Sequence, residues 1–223
     1  MVYRRTPNMT RRMAEREQAI LGAARMIAGS GGMAAVQIVP VSQRAGIAAG
    51  TVYRYFPSKS DLVTDLVTSV AEREIAAMRA AGDAAPGPLS ALAATIATFA
   101  ARILAERRLS WAVIAEPTES GVEAARRDFR DALVAEIAGR IRTAVSHGHF
   151  PDADAATAAP AIVGALLEGL VGPQAPSGDG DPVKMREAVQ SMTLFALRGL
   201  GVNDARARGL IAQVILPPIG GRR

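Results

Sequence analysis

Residues 36–62 read VQIVPVSQRAGIAAGTVYRYFPSKSDL, and their punctuation divides them into two short helices, a tight turn and the opening of a third helix. Pro40 suits the first turn of a helix, where its missing N–H has no intrahelical partner, so a helix from about Ile38 to Ala45 is expected. Gly46 closes it. A glycine past the last helical residue enters the left-handed region without a Cβ penalty, and Ile47 behind it is an apolar plug between crossing helices. A second helix restarts near Ala48 and carries Thr51 to Phe56, in which Val52, Tyr55 and Phe56 cannot all share the face of Thr51 and Tyr53. One face therefore packs inward and the other is presented. Pro57 stops this helix, and Ser58 with Asp61 three residues on is the capping-box pattern that opens the next.

Two helices joined by a glycine-containing turn form a helix-turn-helix, whose second helix enters the major groove of DNA. The run AGIAAGTVYRYFPSKSDL, residues 45–62, resembles the signature of the TetR family of bacterial transcription regulators, agreeing at Gly46, Gly50, Tyr53, Phe56, Lys59 and Leu62. It covers about the first third of the chain. Gln37 departs from the serine or threonine usual there, and Ser42 from the usual alanine. The resemblance implies an N-terminal three-helix DNA-binding head, residues 1–62, and a larger helical ligand-binding and dimerisation domain, residues 63–223. A linking helix would run to about Ala81, giving nine or ten helices in total. It further implies DNA contacts: Thr51 and Tyr53 at the groove or its phosphate edge, with Ala49 and Gly50 where the backbone approaches closely. Tyr55 and Lys59 would touch phosphate, Lys59 from a helix N-terminus that itself favours anions, while Arg44 and Gln37 reach the flanking backbone. Val52 and Phe56 belong to the core.

Composition agrees. The 223 residues are 49% hydrophobic and 21% charged, enough for one large core or two modest ones, and the abundance of alanine with Leu, Ile, Glu and Arg points to an all-α chain. There is no cysteine, which removes disulfides and thiolate chemistry and fits a reducing cytoplasm. No secretory signal precedes the motif and no apolar run approaches the roughly 20 residues that span a bilayer, so a cytoplasmic protein without a membrane partner is expected, nucleoid-associated when DNA-bound. Charge is uneven: residues 1–60 hold nine Lys or Arg against Glu15 and Glu17, net +7, while the remainder holds 17 basic and 19 acidic residues, net −2. A basic head on a mildly acidic body is the footprint of phosphate-backbone binding by the head alone.

Taken in order, residues 1–9 form a basic arm, and a helix is expected from Thr10 to Ala28, ended by Gly29 to Gly32. After the linking helix, Gly82 to Pro88 is rich in breakers. Helices follow over Leu89–Arg107, Leu109–Ala115 and Glu119–Ser146, then Asp152–Val171, in which Pro160 is expected to bend or interrupt the helix. A loop over 172–182, helices Val183–Leu200 and Asp204–Leu216, and a tail complete the chain. Met78, Phe99, Trp111, Glu116 and Phe129 are candidates for lining a cavity that takes a small hydrophobic or amphipathic effector. Ile162, Leu166, Leu170, Val189, Met192 and Phe195 are candidates for a homodimer interface, since paired half-sites multiply the few bases one reading helix contacts.

The reading that results is a ligand-responsive regulator, a repressor that leaves a palindromic operator when its effector binds. A helical interaction adaptor is the alternative, and it leaves Tyr53, Lys59 and the basic head unexplained. Catalysis would need an acid, base or nucleophile constellation, and no GxSxG or HExxH pattern occurs. His147-Gly148-His149 has a spacing that does not put both rings on one helical face, so no metal and no cofactor is expected.

Overall fold

The computed structural model describes residues 7–119, 121–150, 153–175 and 181–217. Most of the basic arm, the middle of the 172–182 loop and the tail from Pro218 lie outside those residues. Among the described residues there are ten α-helices and no strand. The head holds α1 (Pro7–Gly31), a 3-10 turn (Met33–Ala35), α2 (Ile38–Ala45) and α3 (Ala49–Tyr55). Helix α4 (Lys59–Asp83) crosses into the body, which is made of α5 (Pro88–Ala105), α6 (Arg107–Ile114), α7 (Val122–Ser146), α8 (Ala155–Leu170), α9 (Pro182–Gly199) and α10 (Asp204–Ala212).

Boundaries in the head fall where the punctuation residues put them. Gly46 adopts φ 67 with its N–H on the Gln43 carbonyl, and the Ile47 N–H reaches Ser42 O at 3.0 Å, the paired bonds of a Schellman ending. Ser58 and Asp61 form a complete capping box at α4. Gln37 caps nothing with its side chain, yet α2 starts at Ile38; its amide donates instead to Ala34 O. Helix α1 runs through the glycine run to Gly31, beyond the expected stop at Ala28. Pro160 lies inside α8 without interrupting it.

Helix α5 is the axis of the body, packed against α4, α7 and α9. By length and composition it matches a membrane-crossing helix, but here its small alanines let neighbours approach from nearly every side, and all of residues 89–104 except Ser90, Ala94 and Arg102 are buried. Head and body share one contiguous apolar core, running from Ile20 and Val52 through Leu66 and Phe99 to Leu166 and Ile211.

Four of the expected dimer residues belong to that core. Ile162, Leu166, Leu170 and Val189 are buried within one protomer, and Met192 is half-buried over Gly169 of α8. Phe195 alone of the six is well exposed, at 61%. The periodicity of α8 and α9 revealed an apolar face but not whose core it fills, and their own protomer claims it first. Met78, Phe99 and Phe129 are likewise buried in that core, and Phe129 borders a void of about 10 Å3.

The junction after α1 is exacting. Gly32 has φ 77 and ψ −177, a region essentially reserved for glycine, and a Cβ there would lie 2.6 Å from Glu116 Oε2 and collide with the Arg108 guanidinium. Gly32→Ala is expected to cost about 1–3 kcal/mol, read as a lower urea midpoint with an unchanged slope.

Candidate nucleic-acid interface

The presented face of the head is α3 with the ends of α1, α2 and α4. Val52 and Phe56 are buried at 0% and 1%, which turns the opposite side of α3 outward. Tyr53 is 52% exposed on that side, Thr51 and Ala49 are half-buried beside it, and a Cβ at Gly50 would meet nothing within 4 Å. A bare backbone next to an exposed phenol allows close approach by another surface. Gln37 and Arg44 are exposed at the two ends of α2, the Arg44 guanidinium 3.4 Å from Met26 Sδ.

Tyr55 takes a different position. Half-buried, it walls a hollow of about 450 Å3 together with Asn8, Arg12, Arg16 and Arg54. Three guanidiniums around one tyrosine make a cationic groove between α1 and α3 that suits a phosphate chain. Arg12, Arg16 and Arg54 were missing from the expected contact set because only the fold brings residue 54 beside residues 12 and 16; their excess charge was the available signal.

Lys59 opens α4 at the edge of the same face, and its ammonium lies 3.9 Å from Glu119 of the body. Glu116, expected at a cavity, is instead a strut: Oε2 accepts the Met33 N–H at 2.6 Å and Oε1 pairs with Arg108. Trp111 stays half-buried on α6, which packs against α1. Burial raises the Glu116 carboxyl, but the Met33 N–H and Arg108 lower it further, leaving it below its ordinary 4.5. A depressed carboxyl contributes stability that is complete above its unfolded value and lost as pH falls through the folded one. The strut is therefore expected to hold at neutral pH and to release only below about 4.5, seen as loss of amide-exchange protection at Met33.

At the far end of the body His147 closes α7, with Nδ1 2.8 Å from Thr143 O and Gly148 at φ 77, a helix-ending arrangement.

Comparison with known proteins adds to this geometry. The sequence model of the family described as "Bacterial regulatory proteins, tetR family" matches residues 20–66. The HTH-type transcriptional repressor KstR of Mycolicibacterium smegmatis is 48% identical over 59 residues, 26% of this chain and 29% of that protein. The match thus spans under a third of the curated relative's length. Among solved structures, the fatty acid degradation regulator FadR of Bacillus halodurans superposes with a TM-score of 0.71 at 19% identity, over 90% of this chain and all of that one. The FadR of Bacillus subtilis in complex with stearoyl-CoA gives 0.69 at 18% identity, over 82% of this chain and 98% of that one. At such identities these two similarities speak for the fold.

Proposed function

We propose that this chain, whose residues 20–66 match the sequence model of the TetR family of bacterial regulatory proteins, is a member of that family and a ligand-responsive, sequence-specific DNA-binding regulator, a cytoplasmic homodimeric repressor. The observation that carries the reading is the outward side of α3, where exposed Tyr53 stands beside unobstructed Gly50, next to a groove of three arginines. Thr51, Tyr53, Ala49 and Gly50 read bases or the groove edge. Tyr55, Lys59, Arg12, Arg16 and Arg54 hold phosphates, and Gln37 and Arg44 flank them. Residues 1–62 form the head and 63–223 the effector-binding and dimerising body.

Repression is supported by the similarity to KstR, a transcriptional repressor, and an amphipathic effector by the stearoyl-CoA complex of FadR. Two heads are needed because one seven-residue helix contacts few bases. The outward sides of α8 and α9, with Ala161, Gly164 and Phe195 exposed, offer the pairing surface. Half-sites about one helical turn apart follow from a two-fold axis.

Selection from a random pool of duplexes by the purified chain tests the reading: an inverted repeat should be enriched. Absence of any enriched sequence would favour the interaction adaptor. Lys59→Ala is expected to weaken binding to all duplexes alike and to reduce the salt slope by about one unit. Unchanged affinity and slope in a binding titration would remove Lys59 from the contact set.

A further inference from the structure

Met33 and Ala34 of the head and Val63 of α4 line a cleft of about 320 Å3 with Pro117 and Val122 of the body. This lies near the small end of the range for ligand sites, roughly 300–1,000 Å3. Its walls are mainly apolar, and its polar residues are Lys59 and Ser60 in the first turn of α4 and Thr118 and Glu119 in the loop before α7.

Two of these polar groups are weakly partnered. Lys59 meets Glu119 at 3.9 Å, the outer limit of an ion pair, with the Glu119 side chain 56% exposed. Such a pair is worth little, so another anion displaces Glu119 into water at small cost. The Thr118 Oγ1 is buried without a hydrogen-bond partner, the one such side-chain atom among the described residues. A buried hydroxyl without a partner is costly, and its O–H turns to suit whatever acceptor comes within reach. The first turn of α4 adds its helix dipole, which favours negative charge over positive.

We propose that this cleft binds a small amphipathic carboxylate, its carboxyl group on Lys59 in place of Glu119 and accepting from Thr118, its apolar part against Met33, Val63, Pro117 and Val122. The size excludes long acyl chains and coenzyme thioesters from full enclosure. A carboxylate held there occupies the lysine assigned above to phosphate, so ligand and duplex compete, and each weakens the other by the same factor. This competition rests on the DNA-binding reading of Lys59; occupation of the cleft does not.

The test is a titration of the methyl-labelled full chain with 4-phenylbutyrate, followed by NMR, with 4-phenylbutan-1-ol as the uncharged control. Saturable shifts are expected at Met33, Val63 and Val122, which line the cleft, and not at Val113, which borders the 10 Å3 void. The acid should bind about tenfold or more tightly than the alcohol, the ratio of one charge-assisted hydrogen bond. Ala34→Trp, a substitution at an exposed position on the cleft wall, should abolish the shifts while distant methyl signals stay native. Equal affinity of acid and alcohol, no saturable shift at the three methyls, or shifts centred on Val113 would each overturn the proposal. A parallel low-salt duplex titration separates the two claims. If the acid fills the cleft and duplex affinity is unchanged, the competition is wrong. If the chain binds no duplex at all, the proposed function fails and the methyl shifts still decide the cleft.

Discussion

Arg126→Leu is expected to lower stability by about 3–5 kcal/mol, a large share of the 5–15 kcal/mol that holds a typical domain. Its side chain is only 6% exposed, yet it is charged, and three carbonyls surround it. Nε donates to Val113 O at 2.8 Å, and Nη2 donates to Ala112 O at 3.0 Å and to Glu116 O at 2.6 Å, while Nη1 meets Glu123 at 2.8 Å. Two of those carbonyls belong to the last turn of α6, whose ends have no intrahelical partner. The guanidinium therefore caps α6 and ties the following segment to α7. Leucine fills much of the space but leaves three acceptors with no donor, and each such loss costs about 1–3 kcal/mol. The Glu116 carbonyl is among them, so the strut to Met33 loosens with the cap. Urea unfolding measures the first effect and amide exchange at Met33 the second. A loss below about 1 kcal/mol would mean that water replaces the guanidinium at these carbonyls.

Phe56→Ala is expected to cost about 3–5 kcal/mol, concentrated in the head. Phe56 is 1% exposed and ends α3, its N–H on Val52 O at 2.9 Å. With Val41, Val52 and Leu62 it belongs to the part of the core that seats the reading helix. A cavity there leaves α5 to α9 with their own buried contacts, so most of the helical circular dichroism should survive while duplex binding is lost. Parallel loss of helix signal throughout the chain would show that head and body unfold as one unit.

The head was legible because its boundaries are written locally: Gly46 needs a left-handed turn, Ser58 and Asp61 cap each other, and Val52 and Phe56 alternate with Thr51 and Tyr53 at helical spacing. The body's helices were legible for the same reason, with ends shifted by at most four residues. What they pack against was not. An apolar stripe on α8 reads alike whether it faces α7 or a second chain, and Met78 and Phe99 read alike as core or as cavity lining. Arg126 is one of several arginines along α7, and only the fold shows α6 ending beside it. The arginine groove and the Lys59 to Glu119 approach join residues far apart in sequence, beyond the reach of any local pattern.

The central claim is that a cationic head recognises a duplex while the body sets when it lets go. The most direct test is the affinity of the full chain for a selected inverted repeat and for a scrambled duplex, measured across a salt series. The account predicts tighter binding to the repeat, and a logarithmic affinity that falls linearly with logarithmic salt by about 0.9 for each phosphate neutralised. Equal affinity for the two duplexes, or a slope near zero, would contradict it.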